Sequence, residues 1–285
     1  MDVIPLAIMG GLISGAIALK MLRPVFAREI FTRENYRGKA LPTSVGLVIP
    51  IALLITEAVF ALVASLSADL EIRMDSYRLT TLALAVVLGF LGVIDDLVGT
   101  SDIRGFRGHL NSLIHGQMTT GGLKLIGGGC IAIVVCAPFV EPGTLAPLHV
   151  MRDGALVGLT TNLANLFDRA PGRVLKFSTI AFVLIGAVAT YRSFLVGPAI
   201  VFAVSLILIS GDLKERFMLG DAGANVLGGV MGFSLVIACP PWVRVIALLV
   251  VLGLNLAAER ISFSDIINRF GPLRALDELG QVDKS

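Results

Sequence analysis

Gly89-Phe-Leu-Gly-Val-Ile-Asp95-Asp96-Leu-Val-Gly99 closes a long apolar run with two adjacent carboxylates. Uncompensated charge is costly in hydrocarbon, and neighbouring like charges raise each other's pKa, so such a pair calls for a cation. A divalent metal suits it, because carboxylate oxygens are ligands that Mg²⁺ accepts and a phosphate supplies others. The run before the pair, roughly residues 79–98, is long enough for a membrane helix.

The rest of the chain fits that setting. Of its 285 residues 55% are hydrophobic and 15% charged, against about 25% charged in ordinary soluble domains. The mean hydropathy is +0.87, too apolar for a water-facing surface. Apolar segments occur at roughly 3–22, 44–66, 79–98, 121–140, 145–166, 175–191, 194–210, 222–239 and 243–258. They predict an all-α, polytopic membrane helix bundle of about nine to ten transmembrane helices, with 1–285 as a single integral-membrane domain. No alternating pattern suggests a barrel. The run Val3 to Leu19 has neither a basic stretch before it nor a small-residue cleavage site after it, so it reads as a retained helix. Cys130, Cys136 and Cys239 lie in or beside apolar runs without metal spacing and read as small core residues. Glu57, inside the second run, is expected to pack against a polar neighbour.

Basic residues set the expected orientation. The stretches about 23–43, 95–122, 167–176 and 211–221, with the polar tail 259–285, share one side and hold most of the Lys and Arg. Only Arg73, Arg78, Arg152, Arg192 and Arg244 fall opposite. The positive-inside rule puts that richer side in the cytoplasm and the N-terminus outside.

The unusual polar strings fall on the same side. Asp95, Asp96 and Asp102 open the second loop, Asn162-Leu-Ala-Asn165-Leu-Phe-Asp168 ends the fifth segment, and Gly220-Asp221-Ala-Gly223 opens the eighth. Asn162 and Asn165, three apart, share a helix face and are expected to point together at whatever the bundle encloses. Gly220 and Gly223 flank Asp221 at a helix N-terminus, where N–H groups and the dipole favour an anion such as phosphate. Each string alone has a plainer reading: solvated loop acids, interhelical amide bonds, a common turn. Their convergence on one side favours a Mg²⁺–diphosphate site at a membrane face. No aromatic-basic platform supports nucleic-acid binding.

In this order the strings resemble the polyprenyl-phosphate N-acetylhexosamine-1-phosphate transferase family, which includes phospho-N-acetylmuramoyl-pentapeptide translocase and undecaprenyl-phosphate GlcNAc-1-phosphate transferases. The counterparts here are Pro42-Thr43-Ser-Val-Gly46, Asp95-Asp96, Asn162 to Arg169, and Leu219-Gly220-Asp221-Ala-Gly223, over about residues 35 to 230. The resemblance implies transfer of a sugar-1-phosphate from a UDP-sugar to a polyprenyl phosphate lipid, with release of UMP. It further implies Mg²⁺ as cofactor, a bacterial plasma membrane, and a fold compatible with a homodimer. By similarity Asp221 is a metal ligand, and Asp95 and Asp96 bind metal and orient or deprotonate the lipid phosphate. Asn162, Asn165 and Asp168 line the nucleotide or diphosphate side. Lys39 either holds a phosphate or snorkels at the surface.

Departures from the family pattern define a divergent member. Pro171 stands where the family has a second acid. Arg169 and Arg173 beside it either meet an anionic donor or simply add to the cytoplasmic basic count. The family's His-rich loop is replaced by Glu259 to Asp265, and the histidines are His109, His115 and His149. A non-catalytic homologue that keeps its grip on polyprenyl phosphate is the first alternative, and a membrane transporter the second.

Overall fold

A computed structural model describes residues 3–66, 72–99 and 119–282. The second loop, with Asp102, Arg104 and Arg107, lies outside the described residues. The described chain is helical: α1 Ile4–Phe26, α2 Val48–Ala64, α3 Ser76–Val98, α4 Thr120–Cys136, α5 Ala146–Phe167, α6 Arg173–Val188, α7 Val196–Leu213, α8 Asp221–Ala238 and α9 Pro241–Ala258. Two short helices follow, α10 Phe263–Arg269 and α11 Gly271–Glu278. The described strands, β1 Thr32–Glu34 and β2 Ala40–Pro42, form an antiparallel hairpin with Arg33 opposite Leu41.

Seven helical stretches among the described residues are long and apolar enough to cross a membrane. The expectation of nine to ten is therefore corrected. The two segments that drop out are α5 and α6. At 16 residues, α6 falls short of the roughly 20 that a bilayer core needs. The polar content of α5 reflects where it packs: Asp153, Thr160 and Thr161 are buried inside the protein.

The centre of the bundle is α8, whose apolar window is 94% buried, whereas that of α9 is 6% buried. Helix α8 packs most extensively against α5 and α3. Its sequence, Gly-Gly-Val-Met-Gly over 228–232, explains how: a Cβ at Gly228 would press on the Thr160 carbonyl oxygen and on Thr161 of α5. Small residues let membrane helices approach closely, which raises dispersion contact where lipid and side chain are equally apolar. Helix α9 lies at the outside, with Trp242, Ile246, Leu249, Val250 and Leu256 exposed.

Glu57 of α2 is paired with Arg78 of α3, both about 2% exposed. Arg78 also donates to the carbonyls of Ile72 (2.7 Å) and Arg73 (2.8 Å), so each of its three side-chain nitrogens is engaged. The expected polar neighbour of Glu57 is thus a guanidinium. Cys136 and Cys239 are buried, but Cys130 is exposed, which corrects its reading as a core residue.

Candidate functional site

Three strings distant in sequence meet at one end of the bundle. Pro42–Gly46 lies along the turn before α8: Met218 N–H donates to Pro42 O (2.7 Å), and Gly46 N–H donates to Leu219 O (2.9 Å). Gly46 and Gly223 touch through their backbones, an approach that a Cβ on either would block. Ser44, in the left-handed region at φ 58°, turns its hydroxyl to Asp96 Oδ2 at 2.8 Å.

Asp96 reaches from the end of α3 onto the N-terminus of α8. Its Oδ1 accepts from Asp221 N–H (3.0 Å) and its Oδ2 from Ala222 N–H (3.2 Å). The next two N–H groups, of Gly223 and Ala224, go to Gly220 O at 3.0 Å each. The N–H groups of Asp221, Ala222 and Gly223, which have no i−4 partner inside the helix, are therefore satisfied. This corrects the expectation that the helix N-terminus is open to a phosphate: the anion already there is the Asp96 carboxylate, a cap supplied by another helix. Gly220, the residue before α8, has φ +73°, and a Cβ there would sit 2.5 Å from Asp96 Oδ2.

Asp95, one residue earlier, faces another way. Lys124 of α4 places its ammonium between carboxylates, bonded to Asp221 Oδ2 and 3.4 Å from Asp95 Oδ2. Asn165 of α5 completes the group. With its amide oriented by these neighbours, it donates to Asp221 Oδ1 (2.6 Å) and accepts from Lys124 Nζ (2.6 Å). Oxygens from α3, α5 and α8 thus converge on one cationic nitrogen.

Beside this group lies a cavity of about 440 Å³. Glu34, Asp96, Asp168, Asp212, Glu215 and Asp221 line it, with Arg169 as the basic lining residue. Asp212 is buried and ties two walls together, accepting from Gly172 N–H (2.6 Å) and Leu219 N–H (3.1 Å). Asp168 follows α5 and is half-buried. Burial, with the negative charges of Asp212, Asp221 and Asp96, holds its carboxyl well above the usual carboxylate range.

The remaining sequence-predicted residues fall elsewhere. Asn162 does not join Asn165. It is exposed and donates to Asn255 of α9 at 2.7 Å, because three residues turn a helix by 300° and leave the two side chains about 60° apart. Arg173 does not face the cavity: it forms a two-pronged pair with Asp277 of α11 (2.7 and 2.8 Å) and donates to Ser264 (2.9 Å). Lys176 beside it caps the end of α11 through the carbonyls of Leu276 and Leu279. Together they fasten the C-terminal segment to the start of α6. Lys39 sits on the Glu215 carbonyl (3.1 Å), and Arg37 and Tyr36 meet the Glu215 carboxylate.

Sequence reasoning missed Lys124, Ser44 and Asp212 as site residues. For Lys124 a signal existed, since it is the lone charge between Thr119 and Val140, and an ionisable residue in an apolar run is a functional hypothesis by default.

The donor set fits Mg²⁺ by its chemistry. Among the described residues no three His, Cys, Asp or Glu side chains form a metal-holding group, but Asp95, Asp221 and the Asn165 amide offer hard oxygens around one point. One or two carboxylates, completed by water and substrate phosphate, is how Mg²⁺ is usually held. Compared with known proteins, the chain matches no family model and no curated relative.

Proposed function

We propose that this protein transfers a sugar-1-phosphate, of the N-acetylhexosamine type, from a UDP-sugar to a polyprenyl phosphate and releases UMP. The observation that carries the reading is the meeting of Pro42–Gly46, Asp95–Asp96, Asn165–Asp168 and Gly220–Asp221 around one acid-rich cavity. These are the strings on which the family resemblance rests.

In the reaction, an oxygen of the lipid phosphate bonds to the sugar-bearing phosphorus. The bond from that phosphorus to the bridging oxygen breaks, and UMP leaves with the oxygen. Two anions must meet in a cavity already lined by carboxylates, so cations have to offset the repulsion. Mg²⁺ held by Asp221, Asp95 and the Asn165 oxygen would supply that charge and polarise phosphate oxygens. Arg169 meets the diphosphate from the cavity wall. Asp168 lines the same cavity, and burial favours its neutral form, which lessens its repulsion of a phosphate. Asp96 is a positioning residue: by capping α8 it fixes where Asp221 stands. The basic-residue distribution supports the cavity facing the cytoplasm of a bacterial plasma membrane, with the N-terminus outside, in cell-envelope glycan synthesis.

A second reading has its own support. Pro171 replaces an acid, Arg173 is committed to Asp277, and no His-rich string is present; these favour a homologue that grips polyprenyl phosphate without transfer. The test is UMP release from a panel of UDP-sugars, with purified protein, undecaprenyl phosphate and Mg²⁺. Release that needs lipid and metal, and is lost in Asp221→Asn, supports transfer. Lipid binding without release from any donor supports the second reading.

A further inference from the structure

The ammonium of Lys124 occupies the point on which the candidate metal ligands converge. Its neighbours are Asp221 Oδ2, Asp95 Oδ2 at 3.4 Å, and the Asn165 amide oxygen at 2.6 Å. A divalent cation held by the same oxygens would lie within a few ångströms of that nitrogen, where two positive centres repel strongly. We infer that Lys124 is a displaceable internal cation: it neutralises Asp95 and Asp221 at rest, and yields its position when a divalent metal binds. The inference rests on the transferase reading for its metal.

Three features of the chain suit Lys124 to this part. A lysine ammonium is a point charge on a flexible stem, without the fork that locks arginine to a carboxylate. Its side chain is 16% exposed and the two carboxylates 23% each, so the group is accessible from outside, and Asp221 also lines the cavity. It is also the one member of the set carried by α4, whose apolar window is only 22% buried. Lys124 can therefore withdraw without disturbing the α3–α8 junction. Once withdrawn, it remains beside the cavity as a cation for a phosphate oxygen.

The experiment is Mn²⁺ binding, read by electron paramagnetic resonance on purified protein without substrate, in wild type, Lys124→Gln, Lys124→Arg and Asp221→Asn. Lys124→Gln keeps a hydrogen-bond donor and removes the charge. It is expected to bind Mn²⁺ about tenfold more tightly or better, since a positive charge a few ångströms away is gone. Lys124→Arg, which retains the charge, is expected to stay as weak as wild type, and Asp221→Asn to lose the site. Equal Mn²⁺ affinity in wild type and Lys124→Gln, with loss in Asp221→Asn, overturns the displacement while leaving the transferase reading intact. Absence of Mn²⁺ binding in all four proteins, together with absence of UMP release, overturns the reading and the inference with it. A thermal melt of each variant, matched to wild type, establishes that affinity is compared between folded proteins.

Discussion

Two charge clusters at opposite ends of the bundle are handled in opposite ways. At the end away from the cavity, carboxylates are locked by arginines: Glu57 by Arg78, and Asp153 by Arg152 (2.8 and 2.9 Å) and Arg244 (3.2 Å). Asp153 is 0% exposed and Glu57 2%. About 25 Å along α3 from Arg78, Asp95 and Asp221 share a single lysine and remain 23% exposed. Planar guanidinium forks fix geometry, whereas a shared ammonium neutralises without fixing. The arginine cluster is built to hold helices together, and the Lys124 cluster is built to exchange its cation.

Substitutions can break that contrast. The largest stability effect is expected at the arginine cluster. Arg78→Ala leaves Glu57 buried and uncompensated and should cost about 3–5 kcal/mol, seen as a large fall in detergent melting temperature. Asp221→Asn should do the reverse, lowering UMP release by about a hundredfold or more while the melting temperature stays near wild type. A variant that loses both would show that the Lys124 cluster is structural as well.

Asp168 gives a subtler test. Its folded-state pKa is raised, so the folded protein holds a proton that the unfolded chain releases near the ordinary value of about 4. Stability contributed by that proton is full below this value and declines as pH rises through the raised pKa. Asp168→Asn should flatten the decline, measured as melting temperature against pH. Equal slopes in wild type and variant would show that Asp168 ionises like an ordinary carboxylate. The smallest effect is expected from Asn162→Ala, which removes the bond to Asn255 and should cost about 0.6 kcal/mol, with UMP release unchanged. Strong loss of release in this variant would return Asn162 to the site.

Much of this arrangement was legible from residue order. The Asp95-Asp96 pair, the Asn165–Asp168 string and Gly220-Asp221 stand out because charge and amides interrupt apolar runs, and the structure brings them to one end. Partner choice was not legible. Arg173 finds Asp277 across 104 positions, and nothing local distinguishes it from Arg169, four residues earlier, which lines the cavity. The number of helices apolar enough to cross was overestimated because α6 is only 16 residues long and α5 carries the polar residues Asp153, Thr160 and Thr161, which it buries inside the protein. The helix-start expectation failed for a related reason: a dipole signals a preference for an anion, but not whether the chain itself supplies it.

That carboxylate has a mechanical consequence. Asp96 is a rivet between α3 and α8, with Ser44 as its washer. Sliding one helix along the other by a single turn, about 5.4 Å, would strip both amides from their acceptor at once. The cap therefore fixes the register of the two helices, and with it the depth of Asp95 relative to Asp221. Any breathing of this end falls to the helices around the rivet, and a cross-link from α3 to α8 should leave the protein's working range of motion untouched.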